Sequence, residues 1–141
     1  MNMNPNRRLL ALVLSALMLT GTAAAYNGSL LSRGPVADFT LIDQHGDPFS
    51  FEADAEGVVV VSFIFTRCPD VCPILTMLLS AVEDDLTEQE REDVTFVSIT
   101  VDPEHDTPET LLEYSERMGA SWPHLTGNFS EMEPIWAMFG V

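Results

Sequence analysis

Val58-Val-Val-Val-Ser-Phe-Ile-Phe-Thr-Arg-Cys68-Pro-Asp-Val-Cys72-Pro-Ile74 is the stretch that decides the fold. Its opening run, Val58 to Thr66, is almost continuously apolar and rich in β-branched residues, the pattern of a strand buried on both faces. Beyond Pro73 the period changes: Ile74, Leu75, Leu78, Leu79 and Val82 recur at helical spacing, and acids gather from Glu83 on. A buried strand therefore runs into a helix, and both cysteines of the chain fall at the join.

Working outward, Val94 to Val101 reads as a second buried strand. Thr107-Pro108 supplies an N-cap with proline at the first helical position, and the helix it opens is predicted to run to Met118, before Gly119. Trp122-Pro123 breaks the pattern. Ser130, with Glu133 three residues on, predicts a capping box for a last short helix. Upstream, Phe39–Asp43 and Pro48–Phe51 flank a turn and predict a hairpin. The order β-β-α-β-α-α, with strand, helix and strand in succession, defines an α/β domain with a right-handed crossover. Two parallel strands and a hairpin make a thin sheet with an unpaired edge, and the stop at Val141 is expected to reflect an incomplete domain.

The chain has 141 residues and a formal net charge of −16, from 22 acids against 6 arginines with no lysine. All the acids lie at or beyond Asp38. From Tyr26 on, only Arg33, Arg67, Arg91 and Arg117 oppose them, which excludes nucleic acid as a partner. Self-repulsion on this scale destabilises a compact state in dilute buffer and is screened by salt, so a saline working environment is expected.

Residues 1–25 read as a signal peptide or N-terminal membrane anchor: Arg7-Arg8 precede the apolar run Leu9 to Leu19, and small residues Ala23 to Ala25 follow. The arginine pair resembles a twin-arginine export signal. Residues 26–37, rich in Gly, Ser and Pro, are a linker, and 38–141 form the folded domain. That domain is expected outside the cytoplasm, secreted or membrane-anchored, where two cysteines can persist oxidised.

The chemistry concentrates on Cys68 and Cys72. A helix N-terminus carries partial positive charge and favours thiolates, the form that binds metal or attacks disulfides, and Arg67 is placed to add to this. Read as one helix, the C-x-x-x-C spacing sets both sulfurs on one face with β-carbons about 5–6 Å apart. A disulfide wants about 3.8 Å, so bridging an ion needs less adjustment than oxidation. Paired thiolates select soft ions such as Cu(I), and two cysteines fall short of the four ligands of structural zinc. A disulfide serving only as a staple is disfavoured, because it would close too small a loop to stabilise much.

Together with Ser98-Ile-Thr-Val-Asp-Pro-Glu-His-Asp-Thr-Pro-Glu109, Leu125-Thr-Gly127, Phe139-Gly-Val141 and the opening Ala37-Asp-Phe-Thr-Leu41, the cysteine stretch resembles the Sco/SenC family of copper chaperones over roughly residues 35–141. The resemblance implies a thioredoxin-like fold and copper as the bound metal, ligated by Cys68 and Cys72. It also implies a role in assembling the dinuclear copper centre of cytochrome c oxidase, whose copper-binding subunit would be the partner. In the family a third ligand is a histidine on a C-terminal hairpin. That hairpin and the last helix are expected to be absent from this sequence. His45, His105 and His124 are read as solvated loop residues and not as ligands.

Asp102 ends the second strand and is placed either near the cysteines or, with Asp106, as a turn cap before the next helix. Trp122, Trp136, Met77, Met118, Met132 and Met138 are read as core. The rival function is a thiol-disulfide oxidoreductase acting on the oxidase's copper-site cysteines, in which Cys68 and Cys72 would be catalytic. A peroxidase of the related peroxiredoxin type is disfavoured, because Pro69 stands where such enzymes place a threonine.

Overall fold

A computed structural model describes residues 34–141, so the segment read as signal or anchor, and most of the linker, lie outside the described residues. The domain opens with the hairpin of β1 (Thr40–Ile42) and β2 (Pro48–Ser50), paired antiparallel. A one-turn helix, α1 (Phe51–Asp54), follows, and the Ser50 hydroxyl accepts the Ala53 N–H at its start. The main sheet is parallel, in the order β3 (Val58–Ile64), β4 (Val94–Thr100), β5 (His124–Leu125). Helices α2 (Val71–Asp85) and α3 (Glu88–Glu92) connect β3 to β4. Helix α4 (Pro108–Met118) connects β4 to β5, and α5 (Phe129–Phe139) follows β5.

The continuous apolar runs serve two faces at once, because strand side chains alternate. Val59, Val61, Phe63, Val97 and Ile99 pack with the hairpin and with Met132 and Ile135 of α5. Val60, Ile64, Val94 and Phe96 face α2, α4 and Trp122. The hairpin is tied to the sheet by two backbone bonds between Ile42 and Thr126, of 3.0 and 2.9 Å. Gly57 immediately precedes β3 with φ +69°, and a β-carbon there would lie 2.2 Å from the Asp93 carbonyl oxygen, so only glycine fits.

Three expectations need correction. His124–Leu125 is a third parallel strand, too short for its sequence to show the alternation that marks a strand. The last helix is capped by Asn128 with Glu131, two residues earlier than the Ser130–Glu133 pair. And α2 is apolar nearly all round: it buries Cys72 and Thr76 and packs Leu79 inward, while Val71, Ile74, Met77, Leu78 and Val82 stay more than half exposed. Met77 is thus on the surface, whereas Trp122 and Met132 are core and Trp136, Met118 and Met138 pack against it. Along its other side, β3 pairs with no strand among the described residues.

Candidate metal and thiol site

Strand β3 ends at Ile64, and the chain turns through Phe65 to Asp70 before entering α2. The turn is closed by the Cys68 N–H donating to the Phe65 carbonyl at 3.1 Å. Asp70 occupies the N-cap position, yet its side chain caps nothing. The sulfur of Cys68 folds back over the helix end instead and accepts the Cys72 N–H at 3.4 Å. Cys68 therefore stands two residues before the N-cap, and Cys72 is the second helical residue. The expectation of two side chains on one helical face is corrected: the sulfurs converge because Cys68 reaches back across the first turn, not because both ride on the helix. Pro73 takes the third helical position, where its missing N–H costs no intrahelical bond.

The two thiols are unlike. Cys68 is half-buried and Cys72 is 8% exposed, and both are free thiols. Backbone N–H groups of Asp70 first and Cys72 next, with a hydrogen bond from the Cys72 thiol, hold the Cys68 thiol below its ordinary value. Burial pushes the Cys72 thiol up, only partly offset by a backbone hydrogen bond from Phe65, and the Asp106 carboxylate adds to the rise. The pair is thus unequal: an accessible sulfur held toward thiolate beside a sheltered one held toward thiol.

Arg67 is exposed and engaged with a carboxylate rather than a sulfur: its Nη2 and Nε donate to Asp102 Oδ2 at 2.7 and 3.2 Å. The other Asp102 oxygen lies 3.0 Å from His105 Nδ1. The His105 and then the Arg67 hydrogen bonds hold Asp102 below the usual carboxylate range. Asp102 does lie at the cysteine end of the sheet, joined to the residue before Cys68.

Asp106 is not the simple turn cap that its Asp-Thr-Pro context suggests. Fully buried, its carboxylate accepts the Thr66 N–H at 3.2 Å to each oxygen, and the hydroxyls of Thr66 and Thr100. No local signal announces this, since Thr66 is 40 residues away in sequence. On the inner face of α2 the Thr76 and Tyr114 hydroxyls bond at 2.8 Å, beside Cys72, and Tyr114 packs with Cys72 in one cluster.

Of the histidines, His45 and His105 are exposed, as expected. His124 is not a solvated loop residue: it is fully buried in β5, its ring between Trp122 and Tyr114. Its neighbours decide this, because Trp122 and Leu125 carry it into the core. Among the described residues, no group of three or more His, Cys, Asp or Glu side chains is arranged to hold a metal ion, and no helix is long and apolar enough to cross a membrane.

A parallel sheet between helices, with a dithiol where strand β3 meets a helix N-terminus, defines a thioredoxin-like α/β domain. The sequence matches the family profile described as SCO1/SenC over residues 32–141, and the chain belongs to that family. It is 36% identical to a SCO2-like protein of Rickettsia prowazekii, over 87% of this chain and 58% of that one, so it spans a little over half of that relative's length. Among solved structures, the fold is similar to Bradyrhizobium japonicum ScoI with copper bound, at TM-score 0.69 and 28% identity over 76% of this chain and 68% of that one. It is also similar to BsSco, described with a disulfide switch and as a member of the Sco family of cytochrome c oxidase assembly proteins. There the TM-score is 0.65 and the identity 33%, over 75% of this chain and 64% of that one.

Proposed function

We propose that this protein is a copper chaperone that binds Cu(I) through Cys68 and Cys72 and supports assembly of the dinuclear copper centre of cytochrome c oxidase, delivering to the oxidase's copper-binding subunit. The observation that carries the reading is the bond from the Cys72 N–H to the Cys68 sulfur, which brings two soft donors to one helix end. Two thiolates suit a soft, low-coordinate ion, and the helix N-terminus favours their charged form. The copper bound to the Bradyrhizobium relative and the family role stated for BsSco support the same assignment. With only two protein ligands among the described residues, exchange to a partner is favoured over permanent storage. Residues 1–25 act in this reading as export signal or anchor and put the domain outside the cytoplasm.

The test is to load reduced protein with Cu(I) and pass it over a desalting column. One copper per chain is expected for the wild type and none for Cys68→Ser or Cys72→Ser. Stoichiometric copper on either variant contradicts the assignment.

A second reading is favoured by the inequality of the two thiols. An accessible Cys68 held toward thiolate and a sheltered Cys72 held toward thiol suit thiol–disulfide exchange with the oxidase's copper-site cysteines. Cys68 would displace one sulfur of the partner's disulfide to give a mixed disulfide. Cys72, losing its proton, would then displace the other, leaving the partner dithiol reduced and Cys68–Cys72 oxidised.

A further inference from the structure

We propose that Asp106 is a positioning residue for the copper-binding pair, acting on Cys68 through Thr66; the proposal rests on the Cu(I) reading above. Thr66 lies two residues beyond β3 and two before Cys68, at the base of the turn that carries the sulfur. The Asp106 carboxylate takes both of its donors, the backbone N–H at 3.2 Å and the hydroxyl at 2.5 Å. It also takes the hydroxyl of Thr100, the last residue of β4. One buried carboxylate thus clamps the exits of the neighbouring strands β3 and β4 together. Asp106 is itself fixed, its N–H donating to the Asp102 carbonyl at 3.0 Å.

A carboxylate with no solvent exposure is costly unless its lone pairs are filled, and three donor groups fill them here. The donors are not equivalent. Thr100 belongs to the sheet, whose register is already set by its backbone ladder. Thr66 belongs to the turn, whose other restraints are the Cys68 N–H to Phe65 bond, the exposed Arg67 ion pair with Asp102 and the Cys72 N–H to the Cys68 sulfur, none of them at the base of the turn where it leaves β3. Releasing Thr66 loosens the base of the turn, and with it the placement of the Cys68 sulfur over the Cys72 N–H. Releasing Thr100 leaves the turn held. Outer partners that orient a metal ligand are worth about 10–100-fold in metal affinity, and the Asp106–Thr66 contact is placed to act in that way.

The test measures Cu(I) dissociation constants on the full chain by competition with bicinchoninate, with urea midpoints recorded in parallel. Thr66→Val keeps the shape and the N–H but removes the hydroxyl, and is expected to weaken binding about tenfold or more. Thr66→Ser restores the hydroxyl and is expected to bind within about threefold of wild type. Asp106→Asn is expected to weaken binding as Thr66→Val does. Should it fail to fold, the threonine variants carry the test. Thr100→Val loses a bond to the same carboxylate and is expected to lower the urea midpoint while leaving the dissociation constant unchanged. Wild-type affinity in Thr66→Val, or equal losses in Thr66→Val and Thr100→Val, overturns the positioning role while leaving the copper reading intact. A wild-type protein that binds no Cu(I) overturns both.

Discussion

The imidazole of His124 lies stacked on the indole of Trp122, ring centroids 5.7 Å apart and planes 18° apart, and its Nδ1 is 2.8 Å from the Trp122 carbonyl oxygen. The indole N–H in turn donates to Ser98 at 2.8 Å, and the Gln44 side chain binds both the Trp122 carbonyl and the His124 N–H. With Nδ1–H on the carbonyl, Nε2 is left without a hydrogen-bond partner in the core. The ring is therefore neutral in the fold, and burial pushes its pKa down to about 4.

That relationship makes stability pH-dependent. The unfolded chain takes a proton at the ordinary histidine pKa of about 6.5, whereas the folded chain takes it only near 4. The stabilisation is complete above the unfolded value and is lost as pH falls toward the folded one. Urea unfolding is expected to show a loss of about 2 kcal/mol between pH 7 and pH 5, above the range where ordinary carboxylates titrate. His124→Gln is expected to flatten that slope; an unchanged slope in the variant refutes the assignment to His124.

The unequal thiols give an order of reaction. With iodoacetamide at neutral pH, peptide mass mapping is expected to find Cys68 alkylated at least about tenfold faster than Cys72, because Cys68 is accessible and held toward thiolate while Cys72 is buried and held toward thiol. Equal rates, or Cys72 first, are incompatible with the described site.

The charge balance predicts a dependence on salt. With 22 acids against 6 arginines, raising sodium chloride from 0.1 M to 2 M is expected to raise the melting temperature by about 5 °C or more. A level melting temperature across that range removes the saline-environment reading.

The sequence carried the fold wherever burial repeats along the chain. Val58 to Thr66 and Val94 to Val101 are long enough for continuous apolar character to mean a two-faced strand, and Thr107-Pro108 marks the start of α4 where it stands. The signal failed where structure is short or distant. His124–Leu125 is two residues long, and its strand character comes from backbone pairing to Ser98 and Ile99. The apolar spacing of α2 named a buried face but could not say which, since the helix is apolar almost all round. At the site, backbone N–H groups at the helix N-terminus pull Cys68 toward thiolate as the reading expected, but burial pushes Cys72 the other way, which the spacing of the two cysteines does not show. The Asp106 clamp was illegible, because all its partners but Thr100 come from a different strand exit, and an aspartate before Thr-Pro looks locally like any turn residue.

Cys68 does the work that a serine or aspartate does at most helix starts, and its sulfur is also the atom open to chemistry. In the free-thiol form that sulfur accepts the Cys72 amide of the first turn of α2. Whatever the Cys68 sulfur binds is therefore bound at the cap of α2, so chemistry at that atom is felt first by the backbone of the helix tip.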